Sequence, residues 1–141
     1  MCIILDVNSF ADLRNENNQD MLPARKWLDN KNGKIAYCNT AKFRNEWQGK
    51  MQIQLKDWSR EGKVKFLGQE DTIKVQKEAN QLQGKIQSDD EHIIALAMIA
   101  KVKVLISKDQ ALHQDFKAKI PDGSIYQKKK HKHLLDSVSC P

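Results

Sequence analysis

The chain has 141 residues, enough for one domain with a real core and no need of disulfides or structural zinc. Its 24 basic and 18 acidic residues leave a net charge of +6, which attracts phosphate backbones at long range and equally serves plain solubility. The longest unbroken apolar run, Ile93 to Ala100, is too short to span a bilayer, no basic segment leads a long apolar stretch, and Cys2, Cys38 and Cys140 show no metal-binding spacing. Those features predict a soluble cytoplasmic protein with reduced thiols.

Residues 2–7 are short, apolar and partly β-branched and read as a buried strand, broken at Asn8-Ser9. Asn15 to Asp20 is a polar loop. Pro23 suits a first helical turn, and Ala24, Trp27 and Leu28 share one face of the helix that follows. A turn over 30–33 leads to a second strand, Ile35 to Cys38. From Thr40 the stripe Phe43, Trp47, Met51, Leu55 and Trp58 predicts one long helix that stops at Gly62. Val64 to Leu67 reads as a short edge strand. Val75, Ala79, Leu82 and Ile86 mark another helix, with a boundary near Gly84 and Ser88. Ser88-Asp89-Asp90-Glu91 matches a capping box opening a buried helix over 89–101. A strand at 102–106, a helix at 110–118 and a last strand at Ser124 to Tyr126 complete the pattern. This order of elements predicts a three-layer α/β domain over 1–127 with a mainly parallel central sheet and right-handed crossovers. A basic C-terminal tail occupies 128–141.

Four carboxylates stand at the borders of these elements: Asp6, Glu46, Asp90 and Asp109. Asp6 and Asp109 follow apolar runs. If those runs are parallel strands, both acids emerge at the sheet edge where open α/β folds bind ligands. Two like charges about 4 Å apart at an effective dielectric of roughly 20 repel by about 4 kcal/mol. A chain that gathers several such groups usually holds a divalent cation among them, and hard oxygen donors suit Mg²⁺ or Mn²⁺.

Three stretches resemble PIN-domain nucleases. Ile3-Ile4-Leu5-Asp6-Val7-Asn8 is similar to the family's opening strand. Asp90-Glu91-His92-Ile93-Ile94-Ala95-Leu96-Ala97 is similar to its central acidic motif. Val104-Leu105-Ile106-Ser107-Lys108-Asp109-Gln110 is similar to its strand ending in Thr/Ser-x-Asp, at the expected offset of 19 residues from Asp90. The segment from Gly33 to Glu46 resembles the one bearing the family's helical Glu. The resemblance extends over residues 2–126 and is most specific at 88–116. The region from Thr40 to Ile86 departs most from compact members.

The resemblance implies a PIN-like fold and a metal-dependent endoribonuclease, often the toxin of a bacterial toxin–antitoxin pair and often a homodimer. It implies that Asp6, Asp90 and Asp109 hold Mg²⁺ or Mn²⁺, and that Glu46 acts as a ligand or as a base for the attacking water. Asn8, Asp89, Ser107 and Asp115 are candidates for an outer layer. Each residue also has an ordinary reading: a turn for Asp6 and Asn8, a helix cap for Asp90 and Asp109, a solvated helix charge for Glu46 and Asp115. His92 and His113, which flank the motifs, read as structural histidines. Lys128, Lys129, Lys130 and Lys132 are candidates to track RNA phosphates, or else belong to a solvated end. The rival to the enzyme is an inactive PIN-like module that binds RNA or protein, and a small-nucleotide hydrolase would use the same metal chemistry.

Overall fold

Every strand is three residues long, and apolar or β-branched side chains dominate in each. They are β1 (Ile3–Leu5), β2 (Ile35–Tyr37), β3 (Val64–Phe66), β4 (Val104–Ile106) and β5 (Ser124–Tyr126). In the computed structural model, which describes residues 2–30 and 33–136, they form one parallel sheet in the order β3-β2-β1-β4-β5. β1, β2 and β4 are buried throughout, as expected of strands covered on both faces. β3 is the predicted edge, and its Phe66 is 46% exposed.

The connecting helices are α1 (Phe10–Arg14), α2 (Leu22–Asn30), α3 (Ala41–Glu46), α4 (Lys50–Arg60), α5 (Gln69–Leu82), α6 (Glu91–Ala100) and α7 (Gln110–Lys119). The chain winds from β1 through β2 to β3 in one direction, then returns to β4 and β5 in the other. Right-handed crossovers therefore set helices on both faces, giving the predicted three-layer arrangement. The α6 segment is buried from His92 to Ala97 and packs on α5, α7 and β2.

Several local expectations are corrected. The single helix predicted from Thr40 is two, because Gly49 takes φ 64° and ψ −128°, a conformation glycine adopts without strain. The stripe survives the break: Phe43, Trp47, Leu55 and Trp58 are all buried. The α6 helix starts at Glu91 with Asp90 as its N-cap, so Ser88 does not cap it; the Ser88 hydroxyl instead accepts the Asp90 N–H at 3.4 Å. Cys2 is disulfide-bonded and not a reduced thiol. Cys38 is a free, buried thiol whose pKa burial pushes up to about 12. Cys140 and residues 31–32 of the predicted turn lie outside the described residues.

The first part of the basic tail packs back on the domain. A 3-10 helix at Lys129–Leu135 lies on α2, buries Leu135, and is tied down by the Lys129 N–H donating to Asp20 Oδ1 at 3.2 Å. No helix among the described residues is long and apolar enough to cross a membrane.

Gly33 makes a close approach. A methyl group there would lie 2.5 Å from the indole of Trp27, a ring only 3% exposed. Gly33→Ala is expected to lower stability by about 1–3 kcal/mol, the usual cost of overpacking a filled core, read as the urea midpoint at unchanged m-value.

Candidate metal centre

The register of β1 against β4 builds the first half of the site. Ile3 pairs with Val104, Ile4 with Leu105 and Leu5 with Ile106. One step further along both strands sets Asp6 beside Ser107, and the Ser107 hydroxyl donates to Asp6 Oδ2 at 2.7 Å. The same Ser107 oxygen accepts the Asp109 N–H at 3.1 Å. Strand order reverses between β1 and β4, so these residues stand at the switch point where open parallel sheets bind ligands. Asn8 joins the two loops from outside. Its Oδ1 accepts from the Lys108 N–H at 3.3 Å and from the Ser9 hydroxyl at 3.1 Å.

Asp109 caps α7, accepting the Leu112 N–H at 3.2 Å. Its cap role and its place at the site coexist, because a carboxylate offers several lone pairs. Asp90 ends the loop before α6 on the other side. That loop is pinned by Asp115 of α7, whose two oxygens accept the backbone N–H groups of Gln87 (2.9 Å) and Ser88 (2.8 Å). Asp115 therefore positions the loop that leads to Asp90. Asp89 is exposed and lines a depression with Thr40, Lys42 and Gln76.

Glu46 is the last residue of α3, a helix started by Thr40, whose Oγ1 accepts the Phe43 N–H at 3.4 Å. Glu46 meets His92, with Oε1 2.6 Å from His92 Nε2. His92 is 4% exposed, and the Phe43 ring packs edge-on against it with centroids 4.7 Å apart. Its other nitrogen, Nδ1, is buried without a hydrogen-bond partner. Donor atoms of Glu46, Asp90 and His92 all lie within 4.8 Å of one another. Donors around one ion at about 2.1 Å are roughly 3–4 Å apart, so seating all three on a single cation requires the 2.6 Å hydrogen bond between Glu46 and His92 to open. The donor types fit a divalent metal.

The tightest set differs from the one expected from sequence. Asp6 and Asp109 lie outside it and influence it through charge. Burial comes first in lifting Asp90 to a pKa of about 6; Asp6, Glu46 and Asp109 add to the rise and His92 opposes it. Burial likewise raises Asp6, against the Ser107 hydroxyl and the Asn8 backbone, with Glu46 adding to the rise. His92, which the sequence alone gives as a structural histidine, is a candidate ligand in this arrangement. Its signal was the spacing: two residues beyond the N-cap Asp90, it occupies the same first turn of α6.

The lysines of the tail diverge. Lys128 shares a depression with Ser107 and Lys108 at the same sheet edge, whereas Lys129 and Lys132 flank an apolar groove with Leu22 and Trp27. No family model matches the chain, and no curated protein or solved structure matches it either.

Proposed function

We propose that the protein is a divalent-metal-dependent endoribonuclease, acting in the cytoplasm as the toxin of a toxin–antitoxin pair and as a homodimer. The observation that carries the reading is the convergence of Glu46, Asp90 and His92, from two distant chain segments, with donor atoms within 4.8 Å of one another and with the charges of Asp6 and Asp109 acting on Asp90. Such a group costs free energy when ionised alone and repays it when a cation arrives. The net charge of +6 favours a polyanionic substrate, and the likeness of 88–116 to PIN nucleases supports RNA and an antitoxin partner. A basic antitoxin segment would fit the site by setting Arg among the same carboxylates.

Glu46, Asp90 and His92 would hold the ion, with Asp6 and Asp109 completing the negative field. Mg²⁺ or Mn²⁺ bound there supplies Lewis-acid polarisation of the phosphate and a water of lowered pKa. The protein's own work is orientation. Ser107 fixes Asp6, and Asp115 fixes the loop before Asp90. An imidazole among carboxylates favours Mn²⁺ over Mg²⁺.

Titration with each ion tests the reading. Mn²⁺ at a hundred times its Kd is expected to stabilise the fold by about 2.7 kcal/mol, with Mg²⁺ requiring higher concentration. Purified protein is expected to cut total RNA only with metal added. Asp6→Asn is expected to shrink both effects. A melting curve indifferent to both ions, with intact RNA, would leave a binding module in place of an enzyme.

A further inference from the structure

A groove of about 460 Å³ opens beside the metal centre along the same edge of the sheet. Its floor comes from the ends of β2 and β3, through Tyr37 and Phe66, and its walls from Arg44 and Trp47 around the end of α3 and Lys56 and Arg60 of α4. We propose that this groove binds single-stranded RNA, seating bases against Phe66 and phosphates on Arg44, Lys56 and Arg60, and so leads the chain to the metal centre. The inference rests on the nuclease reading for the destination of the strand, but not for the binding itself.

Three observations point to that occupant. First, the lining sets one open ring, Phe66, among cations, with Tyr37 and Trp47 buried beneath, and no carboxylate lines the groove among the described residues. Stacking and a positive wall are the two components of sequence-tolerant single-strand binding. Phe66 is 46% exposed although it ends a strand, and its ring meets Tyr37 edge-on with centroids 5.6 Å apart. A large ring left open to solvent at a concave, basic site is poised to stack.

Second, the cations are oriented or free to reach. Arg44 Nη1 donates to the Asn39 carbonyl at 2.9 Å and to its side-chain oxygen at 3.1 Å, which holds the guanidinium at the mouth of β2. Among the described residues Arg60 has only a surface ion pair with Asp57 at 3.6 Å, an interaction of little strength.

Third, the groove and the proposed metal centre meet at the end of α3. Arg44, Glu46 and Trp47 are neighbours at the end of α3, with Glu46 in the metal centre and the other two lining the groove. Edge-on ring contacts continue from Phe66 to Tyr37 to Phe43 to His92. β3 and β1 are two strand spacings apart, about 10 Å. A strand entering over Phe66 therefore reaches the carboxylates within a short span.

The test measures anisotropy of a labelled single-stranded RNA 12-mer with the full chain in EDTA, across a salt series. Phe66→Ala is expected to weaken binding on the order of tenfold, as for loss of one stacked base. The double variant Lys56→Ala/Arg60→Ala, on an exposed helix face, is expected to flatten the slope of log K against log salt by about 1.4. Wild-type RNA binding with both variants unchanged overturns the inference, as does absence of RNA binding. It is also overturned if Phe66→Ala turns a dimer into a monomer while RNA binding is kept, because the face then covers a second copy. Cleavage in Mn²⁺ is scored separately. RNA binding that depends on the groove without any cleavage would retain the groove and sink the nuclease reading, and cleavage unaffected by the groove variants would do the reverse.

Discussion

Asp90→Asn is expected to abolish metal-dependent RNA cleavage and, in the absence of metal, to raise the melting temperature. The loss of activity should be on the order of 10²–10³-fold, as when one group stabilising a charged transition state is removed. The gain in stability follows from the same carboxylate. Burial, then Asp6, Glu46 and Asp109, lift the Asp90 pKa from 3.8 to about 6 in the folded protein. A raised folded pKa means that the protonated form favours folding. That contribution is fully present below the unfolded value near pH 4 and is lost as pH climbs through about 6. At pH 7.5 the ionised group therefore destabilises the metal-free fold by on the order of 2 kcal/mol, a two-unit shift discounted for partial exposure. Asparagine keeps the shape and removes the charge, so its melting temperature should exceed that of wild type by about 5 °C at pH 7.5 and converge with it near pH 4. Added Mn²⁺ should raise wild type and leave the variant nearly unmoved. A variant that melts below wild type at pH 7.5, or still gains from Mn²⁺, would contradict the proposed centre.

Asp115→Ala carries the second large effect, this time on stability and geometry together. Asp115 is 5% exposed and accepts two backbone N–H groups, those of Gln87 and Ser88, that no other acceptor serves among the described residues. Hydrogen bonds to a charged acceptor contribute about 1.5–3 kcal/mol each, and orphaned buried donors retain their desolvation cost. With some water entering the gap, a loss of about 3 kcal/mol is expected, close to 10 °C in melting temperature. Cleavage should fall roughly 10–100-fold, as for loss of outer groups that orient a metal ligand, because the loop before Asp90 loses its anchor. The pH signature has the opposite sense from that of Asp90. Burial, which raises the Asp115 pKa, is outweighed by the hydrogen bonds from Gln87 and Ser88, so the folded value lies below 3.8. Its stabilisation is present above about pH 4 and disappears as pH falls through the folded value. Asp115→Asn, which keeps one acceptor, should land between wild type and Ala. Equal stability of all three proteins at pH 7 would refute the anchoring role.

Much of this architecture is legible in the chain because its signals are local. Ile3-Ile4-Leu5 and Val104-Leu105-Ile106 are apolar runs too short for helices, and each ends in polar residues, so their strands and the acids after them can be read directly. Val75, Ala79 and Leu82 repeat at helical spacing and bury one face of α5. The break between α3 and α4 escaped such reading. Phe43 to Trp58 keeps an unbroken stripe, and only the backbone of Gly49, at positive φ, reveals the interruption that ends α3 at Glu46. The capping motif at Ser88 misled for a related reason: Asp115, 27 residues away, takes the Ser88 N–H and draws the helix start forward to Asp90.

Chain order and side-chain type were sufficient to nominate Asp6, Glu46, Asp90 and Asp109 as one group and to give the α/β class. They say nothing of distance between segments. Folding decided that Ser107 bonds Asp6 at 2.7 Å, that His92 stands 2.6 Å from Glu46, and that Asp115 holds the loop before Asp90. The reason is physical: helix and strand periodicity arise from neighbours a few residues apart, whereas these contacts join residues 101, 46 and 28 positions apart, and their partners are selected by sheet register and by burial, which no single segment contains.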